Sequence, residues 1–167
     1  MNELPICYQV NFMLENIKIG ISVWRRRSKD DDFYRYRKIY DYGMENYMNL
    51  KEILTSDKIN EKDVEGKTVL HILLKFFDQS YHIKFPEAGC DIGEDIITLI
   101  NNPKFNIKYE INGQDYLDYV QGLYFFQEYD EDIKSKNVLN LENRIIKSIA
   151  EKLDKIPMIE YLYYESD

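Results

Sequence analysis

The residues best suited to acid–base or nucleophilic chemistry are few and far apart in this chain. It has two histidines, His71 and His82, and its second cysteine, Cys90, precedes Asp91. A nucleophilic triad of Cys90, His71 and Asp91 can be written down, but Cys90 lacks the flanking signature of a catalytic cysteine. Cys90 and His82 also lack a second Cys or His pair at the spacing of a zinc site. We therefore expect no catalytic residue, no metal and no cofactor.

Phosphate binding and paired-carboxylate chemistry find equally little support. Gly89 and Gly93 do not make a Walker or dinucleotide-binding pattern. The neighbouring carboxylates Glu94 and Asp95 stand at the start of a predicted helix, where they interact favourably with the helix dipole. A lone thiol such as Cys90 is most simply a small buried hydrophobic residue. These patterns favour a protein without enzymatic activity.

A cluster of aromatic and acidic residues is the best candidate for a partner-binding site. Over residues 124–132, aromatic side chains are mixed with four carboxylates. Aromatic anchors beside charge are typical of protein interfaces. The alternative is that the aromatic residues belong to the core and the acidic residues cover a loop. The candidate partner-binding residues are Tyr124, Phe126, Glu128, Tyr129, Asp130, Glu131 and Asp132.

A basic and aromatic stripe comes earlier in the chain, at Trp24–Arg27 and Arg35–Lys38. Such a stripe could bind phosphate groups or an acidic partner. However, Asp30, Asp31 and Asp32 lie between its halves and would neutralise much of its charge. A β-hairpin with cross-strand pairs explains the stripe as well.

The charge balance favours a basic protein partner over nucleic acid. The formal net charge is −8, and residues 105–167 carry 7 Lys or Arg against 13 Asp or Glu. An acidic surface repels phosphate backbones and suits the basic surface of another protein. Solubility alone would also account for the acidic excess.

The length of 167 residues suits a single domain, over residues 1–167, with a sizeable core. No apolar run approaches the roughly 20 residues of a membrane span, so we expect no membrane association. Met1–Pro5 lacks the positive charge that begins a secretory signal. Cys7 and Cys90 are far apart in sequence, and we expect reduced, buried thiols. The sequence thus predicts a cytoplasmic protein.

The clearest signal of secondary structure in the sequence lies at Asp63–His71. Gly66 can adopt the positive φ angle of a tight turn. Thr68 stands where a side-chain oxygen can cap a helix N-terminus. Three leucines then repeat at helical spacing, at Leu70, Leu73 and Leu74. The pattern predicts a turn that runs straight into a helix over residues 68–77.

This junction resembles the start of an ankyrin repeat, whose family pattern is Gly-x-Thr-Pro-Leu-His. The first copy is Gly66-Lys67-Thr68-Val69-Leu70-His71, and Gly113-Gln114-Asp115-Tyr116-Leu117-Asp118 follows 47 residues later. Ankyrin repeats are about 33 residues long, and an insert at residues 78–93 accounts for the difference. The resemblance implies a structural role for His71, which would bond the neighbouring loop. The other motif positions are Gly66, Thr68, Leu70, Gly113 and Leu117.

Both copies depart from the family pattern. Val69 and Tyr116 stand where the family has Pro, and Leu73 stands where it has Ala. In the second copy Asp115 replaces Thr and Asp118 replaces His. The alternative is an unrelated helical domain with two similar turn–helix junctions.

The first 43 residues carry conflicting patterns. Four β-branched residues alternate with polar or small ones, as in a strand: Ile17, Ile19, Ile21 and Val23. Ser28–Asp32 would be a polar turn and Phe33–Arg37 a second strand. The competing interpretation is two helices, one through Tyr8–Leu14 and onward, the other through Phe33–Tyr42. We predict an irregular or β-hairpin cap.

Apolar residues at three- and four-residue steps predict further helices from residue 44 to 54, over 94–100 and over 142–153. The whole is a mainly α-helical fold, a degenerate ankyrin-like stack with three parts. Residues 1–43 form the N-terminal cap, residues 44–120 the ankyrin-like repeats, and residues 121–167 an acidic, helical C-terminal cap.

Ankyrin repeats are overwhelmingly scaffolds for binding other proteins, so the resemblance implies a non-enzymatic protein-binding module. One concrete form is an acidic immunity or inhibitor protein that neutralises a basic protein such as a toxin. A second is a bacterial or viral effector that binds a host protein through the repeats. A third is a nucleic-acid-binding protein that uses the stripe from Arg25 to Arg37.

Overall fold

Six α-helices form the framework of the described chain. The computed structural model describes residues 4–26, 33–80, 91–124, 126 and 136–157. The helices are α1 (Ile6–Arg26), α2 (Phe33–Ile53), α3 (Val69–Gln79), α4 (Ile92–Ile100), α5 (Tyr116–Gln121) and α6 (Lys136–Leu153). The predicted mainly α-helical fold is confirmed. Among these helices, none has both the length and the apolar content to cross a membrane.

Helix α3 lies at the centre of the packing. It contacts α1 on one side and α4 and α5 on others, while α1 packs along α2 and α6 contacts α4 and α5. The central position explains why α3 buries apolar side chains on several faces. Its fully buried residues are Val69, Leu70, Leu73, Leu74 and Phe77. They belong to one hydrophobic core that runs from α1 to α6.

The predicted β-hairpin in the N-terminal cap is wrong, and the competing two-helix interpretation is confirmed. In α1, Ile17 and Ile21 are buried while Ile19 is 51% exposed. The inward face begins earlier, at three- and four-residue steps from Ile6 and Val10. A helix buries this whole face against α2 and α3, whereas the strand pattern covered only its last part. The predicted turn at residues 28–32 lies outside the described residues.

Two other helices begin earlier in the chain than predicted. Helix α2 begins at residue 33 rather than 44, and α6 begins at residue 136 rather than 142. The described ends of the predicted insert at 78–93 are helical, because Asp78 lies in α3 and Gly93 in α4. Residues 81–90, which include His82 and Cys90, lie outside the described residues.

Two glycines set the spacing of α1 and α2. A Cβ atom built on Gly43 would stand 2.9 Å from the Cα atom of Gly20 and 3.0 Å from the backbone oxygen of Asn16. A Cβ atom on Gly20 would stand 3.0 Å from the Cα atom of Gly43. These neighbours are backbone atoms, so a side chain can enter only if the two helices separate. The helices therefore approach at Gly20 and Gly43 because neither residue has a side chain.

Gly43→Ala is expected to lower the free energy of unfolding by about 2 kcal/mol. Alanine favours a helix over glycine by about 1 kcal/mol, but overpacking a backbone contact costs about 3 kcal/mol. Gly122→Ala is the matched control, because its nearest backbone atom lies 3.4 Å from the new Cβ and its φ is −83°. Urea denaturation measures both variants. Equal stability of the two variants would contradict a close backbone contact at Gly43.

Candidate functional site

The two turns before α3 and α5 have the same backbone character. Gly66 has φ 84° and Gly113 has φ 79°, so both use the left-handed region that glycine favours. In the first turn, the Asp63 carboxylate accepts from the backbone N–H groups of Glu65 and Lys67 at 2.8 and 2.9 Å. The second turn is closed by an antiparallel bridge between Ile111 and Gln114. The predicted positive φ at Gly66 is confirmed.

Each turn leads into a capped helix. Thr68 is the N-cap of α3, and its backbone N–H donates to the His71 Nδ1 atom at 3.0 Å. Asp115 is the N-cap of α5: its carboxylate accepts from the Asp118 N–H at 2.9 Å, and Asp118 accepts from the Asp115 N–H at 3.3 Å. The residues that replace Thr and His in the second copy therefore keep a reciprocal cap.

Three tyrosines of the second turn and α5 surround His71. The His71 ring lies 4.5 Å from the Tyr116 ring, 4.8 Å from the Tyr119 ring and 6.2 Å from the Tyr109 ring, measured between centroids. The Thr68 Oγ1 atom lies 3.1 Å from the His71 Nδ1 and 2.5 Å from the Tyr116 hydroxyl. We call these five residues the His71 cluster. It joins the start of α3 to the next junction along the chain.

The hydrogen bonds of the His71 cluster require a neutral imidazole. Because Nδ1 accepts from the Thr68 N–H, the ring proton of neutral His71 lies on Nε2. Burial, assisted by the Lys67 ammonium, lowers the pKa of His71 to about 4. Burial also raises the pKa of Tyr119 to about 12. Near pH 7 the His71 imidazole is therefore neutral, and its Nδ1 atom accepts hydrogen bonds within the cluster.

The pH dependence of stability tests this role. The folded pKa of His71 lies below the unfolded value of 6.5, so the unfolded state takes up the proton first. Stability is therefore lost as pH falls from about 6.5 to about 4, by about 3 kcal/mol.

His71→Gln should remove this loss, because Gln at the third helix position can accept from the N-cap N–H but does not titrate. Urea denaturation at several pH values measures the difference between the wild-type protein and the variant. His71→Leu neither accepts this hydrogen bond nor titrates, so it should show the same pH profile as His71→Gln but lower stability at pH 7. Parallel wild-type and His71→Gln profiles between pH 7 and pH 4 would contradict the assigned protonation state.

Further hydrogen bonds join the same two junctions. The Asn60 side chain donates to the Lys104 carbonyl oxygen at 2.8 Å and accepts from the Asn106 N–H at 2.7 Å. Tyr109 donates its hydroxyl proton to the Gly66 carbonyl oxygen at 2.6 Å. The two loops therefore lie directly against each other, side chain to backbone.

A double-mutant cycle of Thr68→Val and Tyr116→Phe measures the hydrogen bond between the junctions. We expect a coupling free energy of about 1 kcal/mol, because each variant removes one partner of a buried bond. The matched control pairs Thr68→Val with Tyr119→Phe. The Tyr119 hydroxyl makes a 3.4 Å contact with the His71 carbonyl oxygen, and we expect a coupling below about 0.5 kcal/mol. Equal coupling in both cycles would contradict a specific Thr68–Tyr116 bond.

The predicted partner-binding cluster is divided by the structure. Tyr124 is 76% exposed, as a contact residue must be. The prediction of Phe126 as a contact residue is corrected, because its side chain is fully buried. Its ring centroid lies 6.0 Å from that of Phe77, and its N–H donates to the Asp78 carboxylate at 2.8 Å. Phe126 therefore belongs to the core. The remaining residues lie outside the described residues: Glu128, Tyr129, Asp130, Glu131 and Asp132.

The basic stripe is divided between two helices. Residues 24–26 end α1, while Arg35, Arg37 and Lys38 are exposed on α2. The Arg37 Nε atom lies 3.1 Å from the Asp41 carboxylate in an exposed i,i+4 ion pair. Cross-strand pairing in a β-hairpin therefore does not explain the stripe, because its described residues lie on helices. Arg27 and the three aspartates at 30–32 lie outside the described residues.

The carboxylates near α4 have structural partners. Asp91 caps the helix and accepts from the Glu94 N–H at 3.1 Å. Glu94 pairs with Arg144 of α6 through both carboxylate oxygens, one of them at 3.1 Å. Burial raises the pKa of Asp95. In the part of the chain that the structure describes, no three His, Cys, Asp or Glu residues are grouped to hold a metal ion.

A groove between α1 and α2 is the site that sequence analysis missed. It has a volume of about 680 Å³, and Phe12 of α1 and Tyr42 of α2 stand at it with 42% and 49% of their surfaces exposed. The spacing of Phe12 with Tyr8, one turn earlier on α1, was a signal of an exposed aromatic face. The prediction of an irregular or β-hairpin cap gave this spacing no weight, although the two-helix alternative ran a helix through Tyr8–Leu14.

Comparisons of the chain with protein families, with curated proteins and with solved structures find no match.

Proposed function

We propose that the protein is a non-enzymatic protein-binding module built as a divergent ankyrin-like stack. The observation that supports it is the packing of two similar turn–helix junctions on each other, through contacts between residues that are 43 to 48 positions apart in the chain. Thr68 contacts Tyr116, and Asp78 contacts Phe126; in both pairs the second residue is 48 positions later in the chain. Units that repeat in sequence and bury their faces on each other are the organising feature of repeat proteins. Their loops and outer faces remain free for partners.

The groups that could do chemistry support the same proposal. The His71 imidazole is buried and neutral near pH 7. Burial raises the pKa of the Cys7 thiol to about 11, and the nearby Asp63 and Glu61 carboxylates add to the effect. A thiol that stays protonated is a poor nucleophile. Both groups therefore act as core residues, whereas Tyr124 and other aromatic side chains are exposed to solvent.

The partner we propose is a protein with a basic surface. The chain carries a net charge of −8, and such a surface attracts a basic partner and repels nucleic acid. The concrete form is an acidic inhibitor that covers the active surface of a toxin encoded in the same genome. A partner encoded by another organism would instead identify a host-directed effector.

Affinity purification with the full-length chain as bait tests the proposed function. We expect one basic protein in stoichiometric amount at about 100 mM salt, with much less retained at about 500 mM salt, where charge attraction is screened. Recovery of no stoichiometric protein partner would contradict the proposal.

Two charge variants of the bait locate the surface. The first converts the acidic cluster to amides, at Glu128, Asp130, Glu131 and Asp132. The control converts four carboxylates elsewhere that are exposed, at Asp57, Glu65, Glu110 and Glu151. We expect the first bait to retain about tenfold less partner than the control, because each lost ion pair weakens binding by several tenths of a kcal/mol. Equal retention would place the interface elsewhere.

A further inference from the structure

The α1–α2 groove is preformed. Its walls are held at the close contact between Gly20 and Gly43, where neither helix has a side chain. Its buried floor includes Met13 and Asn46. The Asn46 amide donates to the Tyr42 carbonyl oxygen at 2.9 Å and accepts from the Asn16 amide at 3.5 Å. The floor is thus satisfied without a ligand, and an occupant meets a ready surface.

The aromatic rim of the groove provides apolar contact area. Phe12 and Tyr42 come from opposite helices and both are partly exposed. Aromatic side chains at a concave surface are typical anchors for a bound protein segment. An occupant of this groove must therefore present an apolar side chain between the two helices.

The charge of the groove has one sign. Among the described residues that line it, the charged ones are Glu45 and Glu52, both exposed carboxylates on α2. They are seven residues apart and so lie on the same face of the helix, about 10.5 Å from each other along its axis. A partner helix with basic side chains at positions i and i+7 has the same spacing. Complementarity therefore favours a cation at each end of the occupant.

From this arrangement we propose that the α1–α2 groove binds a basic amphipathic helix of a partner protein. Apolar side chains at positions i+3 and i+4 of that helix contact Phe12 and Tyr42, and its flanking Lys or Arg residues pair with Glu45 and Glu52. This mode is the recognition of a helix in a groove. The inference rests on the proposed protein-binding function and assigns it a second contact surface, in addition to the acidic cluster at residues 128–132, and a class of ligand.

The test uses a defined probe. It is a fluorescent, alanine-rich helical peptide of about 15 residues with Lys at positions i and i+7 and Leu at i+3 and i+4. The matched peptide carries Glu in place of both Lys residues. Fluorescence anisotropy with the full-length protein measures the affinity at about 50 mM and about 300 mM salt. We expect binding of the Lys peptide that weakens with salt, and at least tenfold weaker binding of the Glu peptide.

Two sets of variants assign the binding to the groove. Glu45→Gln with Glu52→Gln should weaken binding about tenfold at low salt and less at high salt, because two exposed ion pairs are lost. Phe12→Ala and Tyr42→Ala should each weaken binding at both salt concentrations, because they remove apolar area. The control is Glu110→Gln with Glu151→Gln, which removes two exposed charges away from the groove and should leave the affinity unchanged.

Three outcomes would overturn the proposal. The first is no binding of the Lys peptide up to about 1 mM. The second is equal binding by the groove variants and the control. The third is a dimer of this chain that Glu45→Gln with Glu52→Gln dissociates, because the occupant would then be a second copy.

The purification experiment distinguishes failure of the groove from failure of the function. A bait with Glu45→Gln and Glu52→Gln that keeps a stoichiometric partner contradicts the groove but not the protein-binding function. Recovery of no partner by the unmodified bait contradicts the function itself.

Discussion

The neutral imidazole of His71 is the point on which the arrangement of the two junctions depends. It accepts from the N-cap of its own helix and packs against three tyrosines that belong to the second turn and α5. A charged ring would place a proton against the Thr68 N–H and a cation in a buried site. The packing of this ring against the second junction therefore favours the neutral state, and burial favours the same state.

Different interactions hold the centre of the described fold and its N-terminal helix pair. At the centre, polar side chains bond backbone atoms across the junctions, as the exposed Asn60 and the half-buried Tyr109 do. At the N-terminal pair, the close backbone contact of Gly20 with Gly43 sets the spacing of the helices, and an open groove lies between the same two helices.

The two junctions could be predicted from local sequence signals. The features that sequence analysis missed depend on contacts between residues far apart in the chain. Gly66 and Thr68 act within a few residues of themselves, so their turn and cap followed from their types. The strand prediction for residues 17–23 failed because a short window of β-branched residues hid a helical face that began at Ile6. Phe126 is buried, and it contacts Phe77 and Asp78, which are almost 50 residues away in the chain. The groove depends on two helices whose spacing no local pattern reports.

The position of Cys7 makes its thiol a reporter of the contact between α1 and the loop that precedes α3. Its sulfur lies 3.6 Å from the Glu61 carbonyl oxygen and 3.7 Å from that of Lys67, under the first turn of α1. While α1 is docked, the thiol is protonated and shielded from solvent. Thiol reagents can reach it only when the helix lifts from the loop that precedes α3. The rate at which Cys7 is alkylated therefore reports how often that interface opens.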